Sequence, residues 1–228
     1  IMKALVLFSG GIDSTTALAL AINKYGKDRV IALSVSYGQK HDKEIQAAIA
    51  VAEYYGVEHL FLDLRKIFTY SNCSLLKQST EKIPEESYAK QISKTNGETP
   101  VSTYVPFRNG LFLSSAASIA LSKDCEVIYY GAHADDSAGF AYPDCSPVFN
   151  RAMNEAIWEG SGHQLKIEAP FVNVSKAEVV RIGLELNVPY ELTWSCYEGG
   201  EKPCGKCGTC IDRAAAFQAN HVEDPALQ

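Results

Sequence analysis

Two groups of residues in this chain have types and spacings that could do chemistry. The first is Ser9-Gly10-Gly11-Ile12-Asp13-Ser14, between an apolar strand-like run at 3–8 and a helix-like run at 15–25. Paired glycines let a backbone turn through positive φ and bring its N–H groups close to an anion, while a helix start adds positive dipole. Strand, glycines and helix in this order make a phosphate cradle. A Walker loop reads G-x-x-x-x-G-K-[ST], and this segment lacks both that gap and the lysine, so the cradle is of a different kind. The plainer alternative is a glycine turn capped by Asp13 or Ser14.

The second group is Cys196, Cys204, Cys207 and Cys210, spaced C-x7-C-x2-C-x2-C with Gly205 and Gly208 in the turns. Two-residue gaps let thiolates converge on one ion, and four sulfurs favour a closed, structural tetrahedral zinc, one per chain. The same ligands could hold an iron–sulfur cluster, and a reducing compartment disfavours redox disulfides. With every position filled by sulfur no metal-activated water fits, so the ion is expected to staple the C-terminal segment to the core. Lys202, Lys206 and Arg213 are available to offset the negative charge of the thiolates. Cys73, Cys125 and Cys145 have no metal spacing, and the first two read as buried thiols.

The elements that must position these groups alternate. Residues 30–36 read as a buried strand, 41–55 as a helix and 60–64 as a third strand; 107–121 reads as a core helix and 126–130 as a strand. A long loop at 131–147 leads to a helix from Pro147 to about residue 160. Ser175 with Glu178 gives a capping-box start for a helix ending near 186, and a last helix is expected at 211–220. Strand–helix alternation implies an α/β fold, a parallel sheet covered by helices on both faces, with ligands at the carboxyl ends of the strands. The loop 9–14 and Ser36-Tyr37-Gly38-Gln39 should therefore share a site. Residues 66–103 are polar and too long for a simple connection: a lid, an insertion or a mobile segment. Two units are expected: an α/β nucleotide-binding domain at 2–190 and a metal-binding C-terminal segment at 191–228.

Composition narrows the classes. The chain has 228 residues and a net charge of -6, without the clustered Lys and Arg of a large nucleic-acid footprint, so a small-molecule substrate is expected. A zinc-ribbon nucleic-acid adaptor would need a basic face that this balance does not supply. No membrane-spanning run or secretory leader is legible, which places the protein in the cytoplasm; Met2 reads as the native start, preceded by Ile1.

Three further stretches are denser in chemistry than packing needs: Ser36-Tyr37-Gly38-Gln39-Lys40-His41, Tyr104-Val105-Pro106-Phe107-Arg108-Asn109, and His133-Ala134-Asp135-Asp136 running on to Tyr142-Pro143-Asp144-Cys145. The loop 9–14 resembles the pyrophosphate loop of the PP-loop ATP pyrophosphatases. Together with Thr193-Trp194-Ser195-Cys196-Tyr197 and the cysteine spacing, the five motifs resemble the 7-cyano-7-deazaguanine synthase family of queuosine biosynthesis over nearly the whole chain. Where that family more usually has Ser-Gly-Tyr-Pro-Asp-Cys-Arg, this chain reads Gly139-Phe140-Ala141-Tyr142-Pro143-Asp144-Cys145-Ser146, without the final arginine.

The resemblance implies an adenine nucleotide alpha hydrolase-like fold and an ATP-dependent carbon–nitrogen ligase. Such an enzyme makes 7-cyano-7-deazaguanine from 7-carboxy-7-deazaguanine and ammonia through an adenylated carboxylate and an amide. ATP with Mg2+ is the co-substrate, and a homodimer is expected. Phe8, Ser9, Gly10, Gly11, Ile12, Asp13, Ser14 and Thr15 would hold the nucleotide. Ser9, Asp13, Ser14, Arg108 and Lys176 are the candidate catalytic residues, and Tyr37, Gln39, Arg108, Asn109, Asp136 and Asp144 the candidate substrate contacts. Either Asp136 or Asp144 would accept the N–H donors of a guanine-like edge. Arg108 at a helix start opposes the dipole, which points to a ligand; His41 and His133 read as structural, and Lys176 as a phosphate contact or a solvated side chain. A PP-loop tRNA sulfur-transfer enzyme, or amidation of another small carboxylate, is the alternative function.

Overall fold

Ala4-Leu5-Val6-Leu7 is buried at every residue, which suits a central strand covered on both faces. This strand, β1 (Ala4–Leu7), pairs in parallel with β2 (Val30–Ser36) on one side and β4 (Val127–Tyr129) on the other. β3 (Glu58–Asp63) lies outside β2 and β5 (Lys166–Glu168) outside β4, so the sheet runs β3-β2-β1-β4-β5, all parallel. The expected α/β class is what the computed structural model shows; it describes residues 2–95 and 99–227, so residues 1, 96–98 and 228 lie outside it.

Side chains alternate across β1. Ala4 and Val6 enter a core with α1 (Ile12–Tyr25), α2 (Lys43–Tyr55), α8 (Lys176–Glu185) and α9 (Gly208–Ala219), where Leu18, Val51, Val179 and Phe217 pack. Leu5 and Leu7 enter the opposite core with α5 (Arg108–Ser122) and α7 (Pro147–Gly160), where Leu113, Ala116 and Ile157 pack. The chain leaves β1 toward β2 and returns through β4 on the other side. That reversal opens a crevice at the carboxyl ends of β1 and β4, where α6 (Ala134–Ser137) follows β4.

Local chemistry sets the helix ends. Ser175 Oγ accepts from the Glu178 N–H at 3.3 Å, as the capping box predicts, and Ser146 Oγ accepts from the Phe149 N–H at 3.1 Å ahead of Pro147. On α8, a Cβ at Gly183 would lie 1.7 Å from the Tyr190 hydroxyl, which instead bonds Thr16 Oγ1 at 2.8 Å and docks α8 on α1.

Two features go beyond the sequence reading. β5 has only Ile167 buried and is three residues long, too short for a period-two pattern to show. The described part of 66–103 is an insertion that carries α3 (Arg65–Phe68) at its edge and α4 (Tyr88–Thr95). Its Cys73, Leu75, Leu76 and Ile83 form a third apolar cluster with Tyr37, Val105 and the cysteine loop. No helix among the described residues is long and apolar enough to cross a membrane.

Candidate active site

The loop 9–14 joins β1 to α1 at the crevice. Gly10 has φ +80°, and a Cβ there would meet the Ala48 backbone nitrogen at 2.5 Å, so α2 presses on a turn that only glycine fits. The Ser9 N–H donates to Ser14 Oγ at 3.1 Å, and the two hydroxyls lie 3.1 Å apart, which closes the loop on itself. The start of α1 has no side-chain cap. Neither Asp13 nor Ser14 caps it as the plainer alternative requires: Ser14 Oγ accepts from the Ser9 N–H and the Asp13 carboxylate from Lys176, which leaves N–H groups of the first helical turn open to an anion. Gly131, just past β4, presses on the same turn, since a Cβ there would lie 3.1 Å from Asp13 C. Phe8, Ser9, Gly11, Ile12, Asp13 and Ser14 line a cavity of about 250 Å³. Gly10 and the fully buried Thr15 stand behind it.

Charge gathers around Asp13. Lys176 Nζ donates to Asp13 Oδ2, while His133 Nε2 lies 3.8 Å from Asp13 Oδ1 and 3.3 Å from Asp136 Oδ1. The Lys176 amide is in turn held by Asp135 Oδ2 at 2.8 Å. Burial works to raise the Asp13 carboxyl, but the Lys176 and His133 charges outweigh it and hold the group below the usual carboxylate range. Burial pushes Asp136 up, with Asp13 adding repulsion. Among the described residues Asp13 Oδ1 and His133 Nδ1 are buried without a hydrogen-bond partner, an unusual state for polar atoms away from a ligand site. His133 thus lies in the site. His41 is structural: the Lys43 N–H donates to its Nδ1 at 3.2 Å, so its Nε2 donates to the Cys196 carbonyl at 3.0 Å.

The far end of the cavity is aromatic. Arg108 lies over the Tyr37 ring at 5.2 Å and the Phe112 ring at 5.9 Å and makes no ion pair among the described residues. Gln39 Oε1 accepts from the Tyr37 N–H at 3.0 Å, fixing the turn after β2. Tyr37, Gln39, Arg108, Asn109 and Asp136 line the cavity. Asp144 does not: it is 3 % exposed, and its Oδ2 accepts from the Asn109 N–H at 2.9 Å, holding the start of α5 from behind. Glu44, Asp212 and Thr209 also line the cavity, without a motif to announce them. Burial and the nearby Cys196 push the Glu44 carboxyl up to about 7 against the pull of Arg108. Glu44 was detectable in principle, because an acid four residues before Ala48 sits on the buried face of α2.

The four cysteines converge, their sulfurs all within 4.8 Å of one another. Backbone N–H groups of Glu198 and Cys204 point at Cys196 Sγ at 3.4 and 3.3 Å, and those of Lys206 and Cys207 at Cys204 Sγ, both at 3.4 Å. Hydrogen bonds from the Cys207 and Cys210 thiols, and then from these amides, hold the Cys196 thiol far below its ordinary range. Such a donor set fits a metal tetrathiolate. Arg213 does not serve it as counter-charge: it is buried against Asp224 at 2.6 Å and bonds the Tyr190 carbonyl and Thr193 Oγ1. Lys206 pairs with Glu85 at 3.1 Å.

The profile of the family described as queuosine biosynthesis protein QueC matches residues 3–221. The chain belongs to the QueC family. Relatives named 7-cyano-7-deazaguanine synthase include one from Archaeoglobus fulgidus, 42% identical over 99% of this chain and 90% of its own, and one from Caldicellulosiruptor saccharolyticus, 42% identical over 98% and 94%. Among solved structures, NMN synthetase from Francisella tularensis superposes with a TM-score of 0.51 at 16% identity, over 97% of this chain and 78% of its own, which is a likeness of fold. As a QueC-family member the chain is an enzyme, as its motifs led us to expect.

Proposed function

We propose that the protein is an ATP-dependent ligase that converts 7-carboxy-7-deazaguanine and ammonia to 7-cyano-7-deazaguanine. The observation that carries this reading is the uncapped helix start at loop 9–14, facing one cavity with Asp13 and Lys176, in a chain of the QueC family. A carboxylate cannot lose oxide to ammonia, so its oxygen must first become a good leaving group. The substrate carboxylate attacks the α phosphorus of ATP, pyrophosphate leaves, and an acyl adenylate forms. Ammonia then displaces AMP and loses a proton to give the amide. A second ATP activates the amide oxygen, and loss of AMP and a proton leaves the nitrile.

In this scheme the chain positions reactants and stabilises charge, and no residue bonds covalently to substrate. The loop N–H groups and the Ser9 and Ser14 hydroxyls take the departing pyrophosphate, and Lys176 meets its growing charge. Mg2+, when bound, would offset phosphate charge; the partnerless Asp13 Oδ1 is the fitting oxygen for it. Arg108, Asn109, Tyr37, Gln39 and Asp136 orient the substrate, whereas Asp144 supports Asn109 instead of reading the base. Cys196, Cys204, Cys207 and Cys210 would hold a structural zinc that fixes segment 191–228 against the domain at 2–190. The family resemblance supports a cytoplasmic homodimer that works on small molecules without nucleic acid or membrane. Incubation with ATP, Mg2+, ammonium and 7-carboxy-7-deazaguanine should give the nitrile, AMP and pyrophosphate by mass spectrometry. Absence of all three from metal-replete protein would contradict the reading.

A further inference from the structure

The carboxylates around the cavity divide by position. Asp13 is held by Lys176 and Asp136 by His133, and the charged groups nearest Asp212 are Lys176, Asp136 and His133, so all three belong to the phosphate end. Asp144 is spent on the Asn109 amide behind the wall. Glu44 is different. It opens α2 and faces the cavity, its charged neighbours are Arg108 and Cys196, and no hydrogen bond or ion pair engages its carboxylate among the described residues. Beside it lie the Tyr37 and Phe112 rings, with Arg108 over both and equally free of an ion pair. A carboxylate without a partner, next to a guanidinium that donates to the Tyr37 hydroxyl at 3.4 Å but has no carboxylate partner among the described residues, bordered by flat rings, is a receptor for a planar heterocycle with adjacent donors and acceptor.

A guanine-type ring has that edge: two N–H donors on N1 and the 2-amino group, beside a carbonyl acceptor. The reacting carboxylate of the proposed substrate is on the five-membered ring, away from those donors. Resting on the function proposed above, we propose that Glu44 is the specificity-determining residue that accepts the N1–H and 2-amino donors of the deazaguanine ring, with Arg108 donating to the adjoining carbonyl. One end of the cavity reads the base; the other performs the chemistry. Removal of a donor from the ligand would leave Glu44 buried and unpaired, the condition under which sites discriminate most sharply.

The test compares 7-carboxy-7-deazaguanine with its analogue lacking the 2-amino group, in wild type and E44Q. Wild type should prefer the full substrate by about 100-fold or more in kcat/KM. E44Q should lose about 100-fold on that substrate, mainly through KM, and discriminate less than about 5-fold, with KM for ATP and the melting temperature at pH 4.5 unchanged. E44D, charged but one methylene shorter, should lose affinity yet keep the preference. Calorimetric titration with 7-cyano-7-deazaguanine reads the same contact without turnover. Binding by wild type and its loss in E44Q, with no nitrile ever formed, would keep Glu44 as the reader and discard the proposed reaction. Nitrile formation in which E44Q keeps the wild-type preference would overturn the role of Glu44 and leave the reaction standing.

Discussion

The loop 9–14 and the cysteine loop 196–210 both contribute to the wall of one cavity, yet they are fixed by opposite means. The first is tied at both ends to buried elements, β1 and α1, its turn is compressed between Ala48 and Gly131, and Ser9 and Ser14 bond within it, so packing and its own hydrogen bonds define it. The second has no strand or helix until α9 and is held by the His41 and Trp194 bonds to the Cys196 carbonyl, at 3.0 and 2.7 Å, and by N–H groups turned toward sulfur. It carries Tyr197 and Thr209 to the cavity wall. A wall without regular structure needs another source of rigidity, and four convergent sulfurs supply one when a metal binds. The comparison teaches that the phosphate end should survive loss of the metal far better than the wall opposite.

The largest effect expected follows from removing a ligand. Cys207→Ser should lose the metal by mass spectrometry and more than about 4 kcal/mol of stability in denaturant, at the exceptional end for one substitution. If the cysteine loop were packed like the phosphate loop, the loss would be near that of an ordinary buried site. Asp13→Asn attacks the other side: AMP formation should fall about 100- to 1000-fold, as for loss of a charge-stabilising group, with only a modest fall in melting temperature from the lost Lys176 ion pair. Gly10→Ala should cost about 1–3 kcal/mol, because alanine must hold φ +80° and its Cβ meets Ala48. Activity should fall with it, since the turn cannot relax without moving the N–H groups.

The smallest effect concerns pH. Glu44 has a folded-state carboxyl raised to about 7, so folding favours its protonated form and stability falls as pH climbs from its unfolded value, near 4.5, through 7. Glu44→Gln removes that cost. It should stabilise the ligand-free protein by on the order of 1–2 kcal/mol at pH 8 and by nothing measurable at pH 4.5. Equal stabilisation at both pH values would show that the wall does not desolvate this carboxylate.

Much of this was legible in the residues. β2 has the span read from its apolar run, and Ser175 caps α8 as its spacing predicts. The cradle at 9–14 and the convergence of the cysteines were visible because each is local: one needs a strand, two glycines and a helix, the other fixed gaps. Contacts between distant elements were not. Asp144 looks like a base reader beside Tyr142 and Cys145, but the approach of α5 turns its carboxylate onto Asn109. Arg213 looks like a counter-ion to the thiolates, but it is spent on Asp224. His133 and Asp212 reach the phosphate end only through the return of β4 and α9 to the crevice. β5 escaped notice because one buried residue in three has no period.

The most direct measurement of the central claim, that a substrate oxygen captures the α phosphorus of ATP held at loop 9–14, is isotope transfer. With both carboxylate oxygens of 7-carboxy-7-deazaguanine labelled with oxygen-18, each nitrile formed should be accompanied by two AMP molecules carrying one labelled oxygen each, and by unlabelled pyrophosphate. Label in pyrophosphate, in inorganic phosphate or in water would contradict it.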